Sequence, residues 1–285
     1  MTTPGPPGVH PDAFREIDRS ADPAAIVASL ETRGRDAGQR RLRRRFLRAI
    51  PIRRRATVLE VGCGTGVVLR DLVTLVGAGG RVAGIDPSRT AIAAAREFCR
   101  GTGIHLRQAD GAKLPFADDG FDVTLAVTVM LHVADPLAVV REMARVTRPG
   151  GRVAVQDQDF GTCALAHPDR ALSDRILHGV VGHIYEEPYS GRRLPALLRA
   201  AGLAQVRLRT EVYQETTLTP YMKTFLGRRA ENAVRFGIAG ADEAQRWLDG
   251  ITEMAEGETF VFTINYYGAI GVKRGATGVK ARRRA

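Results

Sequence analysis

The stretch TVLEVGCGTGVVLRDL, residues 57–72, sets Gly62, Gly64 and Gly66 at alternate positions between a run of β-formers and helix-like residues. Glycine in such a turn supplies positive φ and lets the backbone approach a ligand with no Cβ in the way. Asp86 closes the next apolar run, GRVAGID, where an acid can bind ribose hydroxyls. The chemistry these residues suit is nucleotide binding. The third glycine stands one residue earlier than in a G-x-G-x-x-G turn. Spacing alone leaves the nucleotide open, because NAD enzymes also carry an acid there.

Such a turn needs a frame. Segments ATVLEVG, GRVAGIDPS, IHLRQADG, FDVTLAVTVML and RVAVQDQD read as strands. The segments between them read as helices, one stopped by glycine after Arg100 and one closed by Pro149-Gly150-Gly151. Strand–helix alternation at this spacing predicts a parallel sheet covered on both faces. Right-handed crossovers then bring the strand C-termini to one edge, where ligands bind. Upstream, Asp22-Pro23 is a helix start with an N-cap acceptor and proline at N1. Leu42, Phe46, Leu47 and Ile50 recur at helical spacing, so the arginine-rich helix around them lies on a core by one stripe.

Composition sets the class. The chain has 285 residues and is 44% hydrophobic, enough for one large domain with a packed core. No apolar run is long enough to span a membrane, and the Pro/Gly-rich N-terminus does not read as a secretory signal. Cys63, Cys99 and Cys163 show no paired spacing, which suits a reducing compartment. A soluble cytoplasmic protein is expected. The net charge of +11 comes largely from an arginine cluster between Arg33 and Arg55 and from the tail KARRRA. A solvated helix face explains the cluster most simply, and contact with a polyanion or an anionic membrane is the alternative.

In this frame VLEVGCGTG, GIDPS, QADGAKLPFADDGFD, LHVADP and RVTRPGG follow one another in order. Over residues 56–158 the set resembles the class I S-adenosylmethionine-dependent methyltransferases, in their ubiquinone/menaquinone-biosynthesis-like, small-molecule branch. The resemblance implies an α/β fold: a doubly wound Rossmann-like sheet of seven strands, mostly parallel with an antiparallel last strand, and a helical substrate lid. It implies S-adenosylmethionine as cofactor, S-adenosylhomocysteine as product, and no metal. By position, Glu60 would hold the methionine amino end, and Gly62, Cys63, Gly64 and Gly66 would line the methionine and sugar. Asp86 would take the ribose hydroxyls, with Pro87 or Ser88 beside the adenine. Ala109, Asp110 and Gly111 would reach the adenine amino group, and Thr128 would offer its carbonyl to the methionine ammonium. Arg33 or Gln39 would meet the methionine carboxylate. Cys63 reads as a small apolar filler, not a nucleophile.

Methyl transfer is an in-line displacement at a sulfonium methyl, helped by alignment and exclusion of water. A hydroxyl or carbon-acid acceptor also wants a base, for which His132, His183 and Asp157 are the candidates. Phe160, Tyr185, Tyr189 and Tyr221 are the candidate acceptor contacts, among lid aromatics that also include Tyr213, Phe225 and Trp247. If most of these are plain core, only two or three will face the cofactor. The segment TVMLHV lacks the Pro-Pro motif of adenine- and glutamine-methylating enzymes, and no Pro-Cys pair occurs. The expected activity is methylation of an O, N or C atom of a small, partly apolar metabolite, in secondary metabolism or quinone-like chemistry. The rivals are an RNA- or protein-modifying methyltransferase that uses the arginine cluster, and an S-adenosylmethionine-binding protein of this fold without transfer. A homodimer is compatible with the chain. The expected organisation is a flexible tail over 1–21 and cofactor-covering helices over 22–55. A core follows over 56–159, then a helical lid over 160–203. Final strands occupy 204–274, with a helical insertion over 214–257, and a basic tail ends the chain over 275–285.

Overall fold

The computed structural model describes residues 12–275, so most of the basic tail and the first half of the N-terminal tail lie outside the described residues. Two helices lead: α1 (Pro23–Arg35) and α2 (Ala37–Ala49). Asp22 caps α1 by accepting from the Ala25 N–H at 2.9 Å, with Pro23 at the first helical position. Asp36 ends α1 and caps α2 by accepting from the Gln39 N–H.

The alternating unit follows as β1 (Thr57–Val61), α3 (Val67–Val76), β2 (Arg81–Asp86), α4 (Arg89–Phe98), β3 (His105–Gln108), β4 (Phe121–Val127), α5 (Pro136–Val146) and β5 (Thr147–Leu165). Then come α6 (Arg170–Gly179), α7 (Val181–Ile184), α8 (Ser190–Ala200), β6 (Ala204–Glu215), α9 (Pro220–Arg235), α10 (Ala241–Glu256) and β7 (Phe262–Val272).

The seven strands form one sheet in the order β3-β2-β1-β4-β5-β7-β6. The first five pair in parallel, and β7 runs antiparallel to both β5 and β6. This is the expected doubly wound sheet with an antiparallel last strand. Strand order reverses between β1 and β4, which opens a crevice beyond their C-terminal ends, at Val61 and Val127. Two apolar clusters fill the layers on the sheet, one with Leu59, Ile85 and Met143, the other with Phe46, Leu69 and Leu125. A further core around Trp247, Ile176, Met222 and Phe262 holds the helices of the lid together.

Two segments differ from the sequence reading. Residues 12–21 were expected to belong to a flexible tail, yet Ile17 is buried with Ile26 and Ala91, and Asp18 accepts from the N–H groups of Arg89 and Thr90 at the start of α4. A helix N-terminus offers unpaired N–H donors, and this acid satisfies them. Strand β5 also runs past Asp159, with Ala164 and Leu165 paired to Thr263 and Phe262 after an irregularity. The helices of the lid therefore begin only at α6.

Candidate functional site

A cavity of about 310 Å³ opens at the crevice beside β1 and β4, between the sheet edge, α1 and α9. Its sheet side is the turn after β1. Gly62, Gly64 and Gly66 all take positive φ, at 70°, 51° and 81°. At Gly62 a Cβ would meet Val129 Cγ2 at 2.5 Å, so both conformation and space call for glycine. Gly66 starts α3 and packs against Cys99 outside the cavity, whereas Gly62, Cys63 and Gly64 line it. The Cys63 thiol is buried, and burial pushes its pKa well above the usual value, so it is a weak nucleophile.

Asp86 shapes the turn as well as facing it. One carboxylate oxygen accepts from the Gly64 N–H and the other from the Ser88 N–H, each at 2.9 Å. Burial raises the Asp86 pKa despite these donors. Glu60 is 2% exposed, its Oε2 has no hydrogen-bond partner among the described residues, and burial raises its pKa well above the ordinary range. Pro87, Asp110, Gly111 and Thr128 also line the cavity, and Ala109 does not. Thr128 has φ of +56°, an uncommon conformation for a β-branched residue.

Arg33 reaches in from α1. It donates to Thr128 Oγ1 at 3.1 Å and to the Tyr266 hydroxyl at 3.3 Å, and Gln39 Nε2 donates to the same hydroxyl at 3.2 Å. The two residues expected as alternatives for one carboxylate thus stand together. Arg33 Nε also donates to Gln39 Oε1 at 3.4 Å, so among the described residues the hydrogen-bond partners of the guanidinium are all neutral.

At the other end, His132 Nδ1 lies 2.5 Å from Asp12 Oδ2, and Asp12 is fully buried. Phe14 and Tyr185 pack on the imidazole with ring centroids at 5.8 and 5.7 Å. Of the lid aromatics, Tyr185, Tyr221 and Phe225 line the cavity, so three of them face it. Phe160 lies buried behind Tyr185, stacked at 4.6 Å, and Tyr189 is 38% exposed beneath Arg192. Both contacts are therefore corrected: these side chains do not reach the cavity.

Two base candidates are corrected as well. Along β5 the side chains alternate, and Gln156 and Gln158 line the cavity. Asp157 faces away, accepting from the Leu131 N–H at 3.2 Å, and Asp159 holds Arg192 of α8. His183 is exposed on α7 and stacks on Phe236 at 4.9 Å, outside the cavity. Sequence reading missed Asp12, Gln156, Gln158, Tyr266 and Arg229. Arg229 had a legible signal: it falls on the buried stripe of α9 with Met222, Leu226, Ala230 and Ala233. Among the described residues, no group of three or more His, Cys, Asp or Glu side chains is placed to hold a metal ion, and no helix is long and apolar enough to cross a membrane.

Residues 59–155 match the family model described as a methyltransferase domain. The chain is 40% identical to methyltransferase GfsG of Streptomyces halstedii over 57% of each chain. It is 31% identical to a demethylmenaquinone methyltransferase of Desulfitobacterium hafniense, over 51% of this chain and 57% of that one. It spans 57–60% of the length of these and another of the curated relatives it matches. Among solved structures, Haemonchus contortus phosphoethanolamine N-methyltransferase 2 in complex with S-adenosyl-L-methionine superposes with a TM-score of 0.60 at 16% identity. That match covers 95% of this chain and 61% of that one, and it shows a shared fold.

Proposed function

We propose that the chain is a class I S-adenosylmethionine-dependent methyltransferase, a reading its methyltransferase-domain match and methyltransferase relatives support, and that it transfers a methyl group to an O, N or C atom of a small, partly apolar acceptor. The observation that carries this reading is a pair of incompletely satisfied polar groups on the cavity wall. Among the described residues the Arg33 guanidinium has only neutral hydrogen-bond partners, and Glu60 Oε2 is buried without a donor, beside the glycine turn and Asp86. A zwitterionic amino-acid end joined to a ribose meets both needs. Arg33 and Gln39 would take the carboxylate, Glu60 and the Thr128 carbonyl the ammonium, Asp86 the ribose and Asp110 the adenine.

When bound, S-adenosylmethionine supplies an electrophilic methyl on a sulfonium sulfur. The chain's own contribution is to align the acceptor, exclude water and hold a proton. Tyr185, Tyr221, Phe225 and Phe14 give the acceptor end an apolar wall. His132, held by Asp12, would take the proton of a hydroxyl or carbon acid. The likeness to a demethylmenaquinone methyltransferase supports a small, partly apolar acceptor, and the likeness to GfsG, from a Streptomyces, supports a place in secondary metabolism.

Calorimetric titration tests the reading, with S-adenosylmethionine, S-adenosylhomocysteine and NAD as ligands, at two salt concentrations, with and without RNA. Micromolar binding of the first two, none of NAD and silence toward RNA are expected. NAD binding would overturn the cofactor. Tight, steeply salt-dependent RNA binding would move the acceptor to nucleic acid and give the α2 arginines a role.

A further inference from the structure

Among the described residues, Arg229 is a buried charge with no ion-pair partner. It is 3% exposed on α9 and lines the cavity, yet neither Nη1 nor Nη2 has a hydrogen-bond partner among the described residues. Aromatic rings cover its faces: the guanidinium carbon lies 4.4 Å from the Phe160 centroid, 5.1 Å from Phe225 and 5.6 Å from Tyr185. Rings attract a cation through their faces, but the N–H donors of a guanidinium lie in its plane. The cage therefore leaves the donor fork unmet. A buried charged donor without an acceptor is costly, and a fold retains one where a ligand completes it.

We propose that Arg229 anchors the methyl acceptor through an oxyanion, so that the acceptor is a carboxylate or phosphate compound with a planar, apolar body. This rests on the methyltransferase reading above. The guanidinium fork matches carboxylate and phosphate oxygens with two parallel hydrogen bonds. Arg33, whose hydrogen-bond partners among the described residues are neutral, sits at the proposed cofactor end against Thr128 and Tyr266, so each end of the cavity has its own cation. Arg228, on the same helix, rests over Phe14 at 5.4 Å and adds positive potential at the mouth. Tyr185 stands between the anchor and His132, 5.6 Å from the guanidinium carbon and 5.7 Å from the imidazole centroid. An acceptor pinned at Arg229 with its body along Tyr185 brings its far side to His132.

The test uses protein saturated with S-adenosylhomocysteine, which engages Arg33 and confines the comparison to the acceptor end. Benzoate, phenyl phosphate and neutral benzamide are titrated calorimetrically into the wild type and Arg229→Gln. At least one anion should bind the wild type about tenfold or more tighter than benzamide. In Arg229→Gln that preference should shrink to about twofold or less, with S-adenosylhomocysteine affinity unchanged. Preference for benzoate alone identifies a carboxylate acceptor, and for phenyl phosphate alone a phosphate. Absence of any preference in the wild type, including no binding of any probe, overturns the anchor. So does a preference that survives in Arg229→Gln. If that variant does not fold, Arg229→Lys takes its place. Lysine keeps the charge without the fork and should weaken anion binding about fivefold or more, and unchanged binding overturns the proposal. Failure of the wild type to bind S-adenosylhomocysteine would instead overturn the methyltransferase reading, and the same titrations on Arg33→Met protein would still decide the anchor.

Discussion

The Nδ1 atom of His132 lies 2.5 Å from Asp12 Oδ2, so a residue far upstream of the sheet holds the imidazole at the end of the cavity. If His132 is the base, His132→Gln should lower kcat for a hydroxyl or carbon-acid acceptor by about 10²–10⁴ while leaving S-adenosylhomocysteine affinity unchanged. Asp12→Asn should give a smaller loss, also in kcat. Turnover at saturating acceptor, measured beside calorimetry, separates this from damage to the cofactor site. Undiminished kcat in both variants would remove the base and point to an amine acceptor.

Arg33 and the Tyr266 hydroxyl together face the position expected for the methionine carboxylate. Arg33→Met should weaken S-adenosylhomocysteine by about 10–150-fold, the value of a charge-assisted contact. 5′-Methylthioadenosine has no amino-acid end, so its affinity should stay within about twofold of the wild type. Equal losses for both ligands would show that Arg33 acts on the fold of the site and not on the carboxylate.

Asp86→Ala removes the acceptor proposed for the ribose and also the partner of the Gly64 and Ser88 N–H groups. S-adenosylmethionine should bind more weakly by about 1.5–3 kcal/mol per lost bond. Asp86→Asn keeps an acceptor for one of those N–H groups and should lose less. Unchanged calorimetric affinity in the alanine variant would sink the ribose assignment.

Asp157 yields a stability prediction instead of a catalytic one. Burial raises its pKa from 3.8 to about 7, with the Leu131 N–H among the donors pulling the other way. Below about pH 4 both folded and unfolded chains hold the proton. Between about 4 and 7 only the folded state keeps it, so this residue's contribution makes folding weaker as pH rises, by on the order of 4 kcal/mol in all. Asp157→Asn keeps an acceptor for Leu131 and should be the more stable protein at pH 8, with a flatter dependence of stability on pH. Denaturant midpoints at pH 5 and pH 8 measure both, and an unaltered slope would show that Asp157 is ionised in the fold.

The arginine cluster between Arg33 and Arg55 serves several ends in the fold. Arg33 turns inward to the cavity, Arg43 pairs with Asp71 and Arg45 with Glu211, whereas Arg40, Arg41, Arg44 and Arg48 are exposed on α2. Replacing Arg41 and Arg44 by Gln should leave S-adenosylmethionine affinity within about twofold of the wild type, because exposed charges of this kind contribute little. Calorimetry on the double variant checks this, and a larger loss would tie the exposed face to the site.

The amino-acid sequence by itself determined what local physics controls. Alternating apolar runs and helix periods specified the parallel sheet, Asp22-Pro23 specified where α1 begins, and the glycine turn with Asp86 specified a nucleotide site, because each is set by neighbours a few residues away. Tertiary structure alone decided which face of β5 meets the cavity. A period of two says that Gln156 and Gln158 share a side against Asp157 and Asp159, but not which side that is until β5 is seated between β4 and β7. It decided too that Asp12 closes over His132, a contact between residues 120 apart that no local pattern encodes. And it decided which arginines go unanswered. A charge is neutralised or left bare by whatever the rest of the chain brings near it, and at Arg229 the described residues bring aromatic rings but no hydrogen-bond acceptor for Nη1 or Nη2.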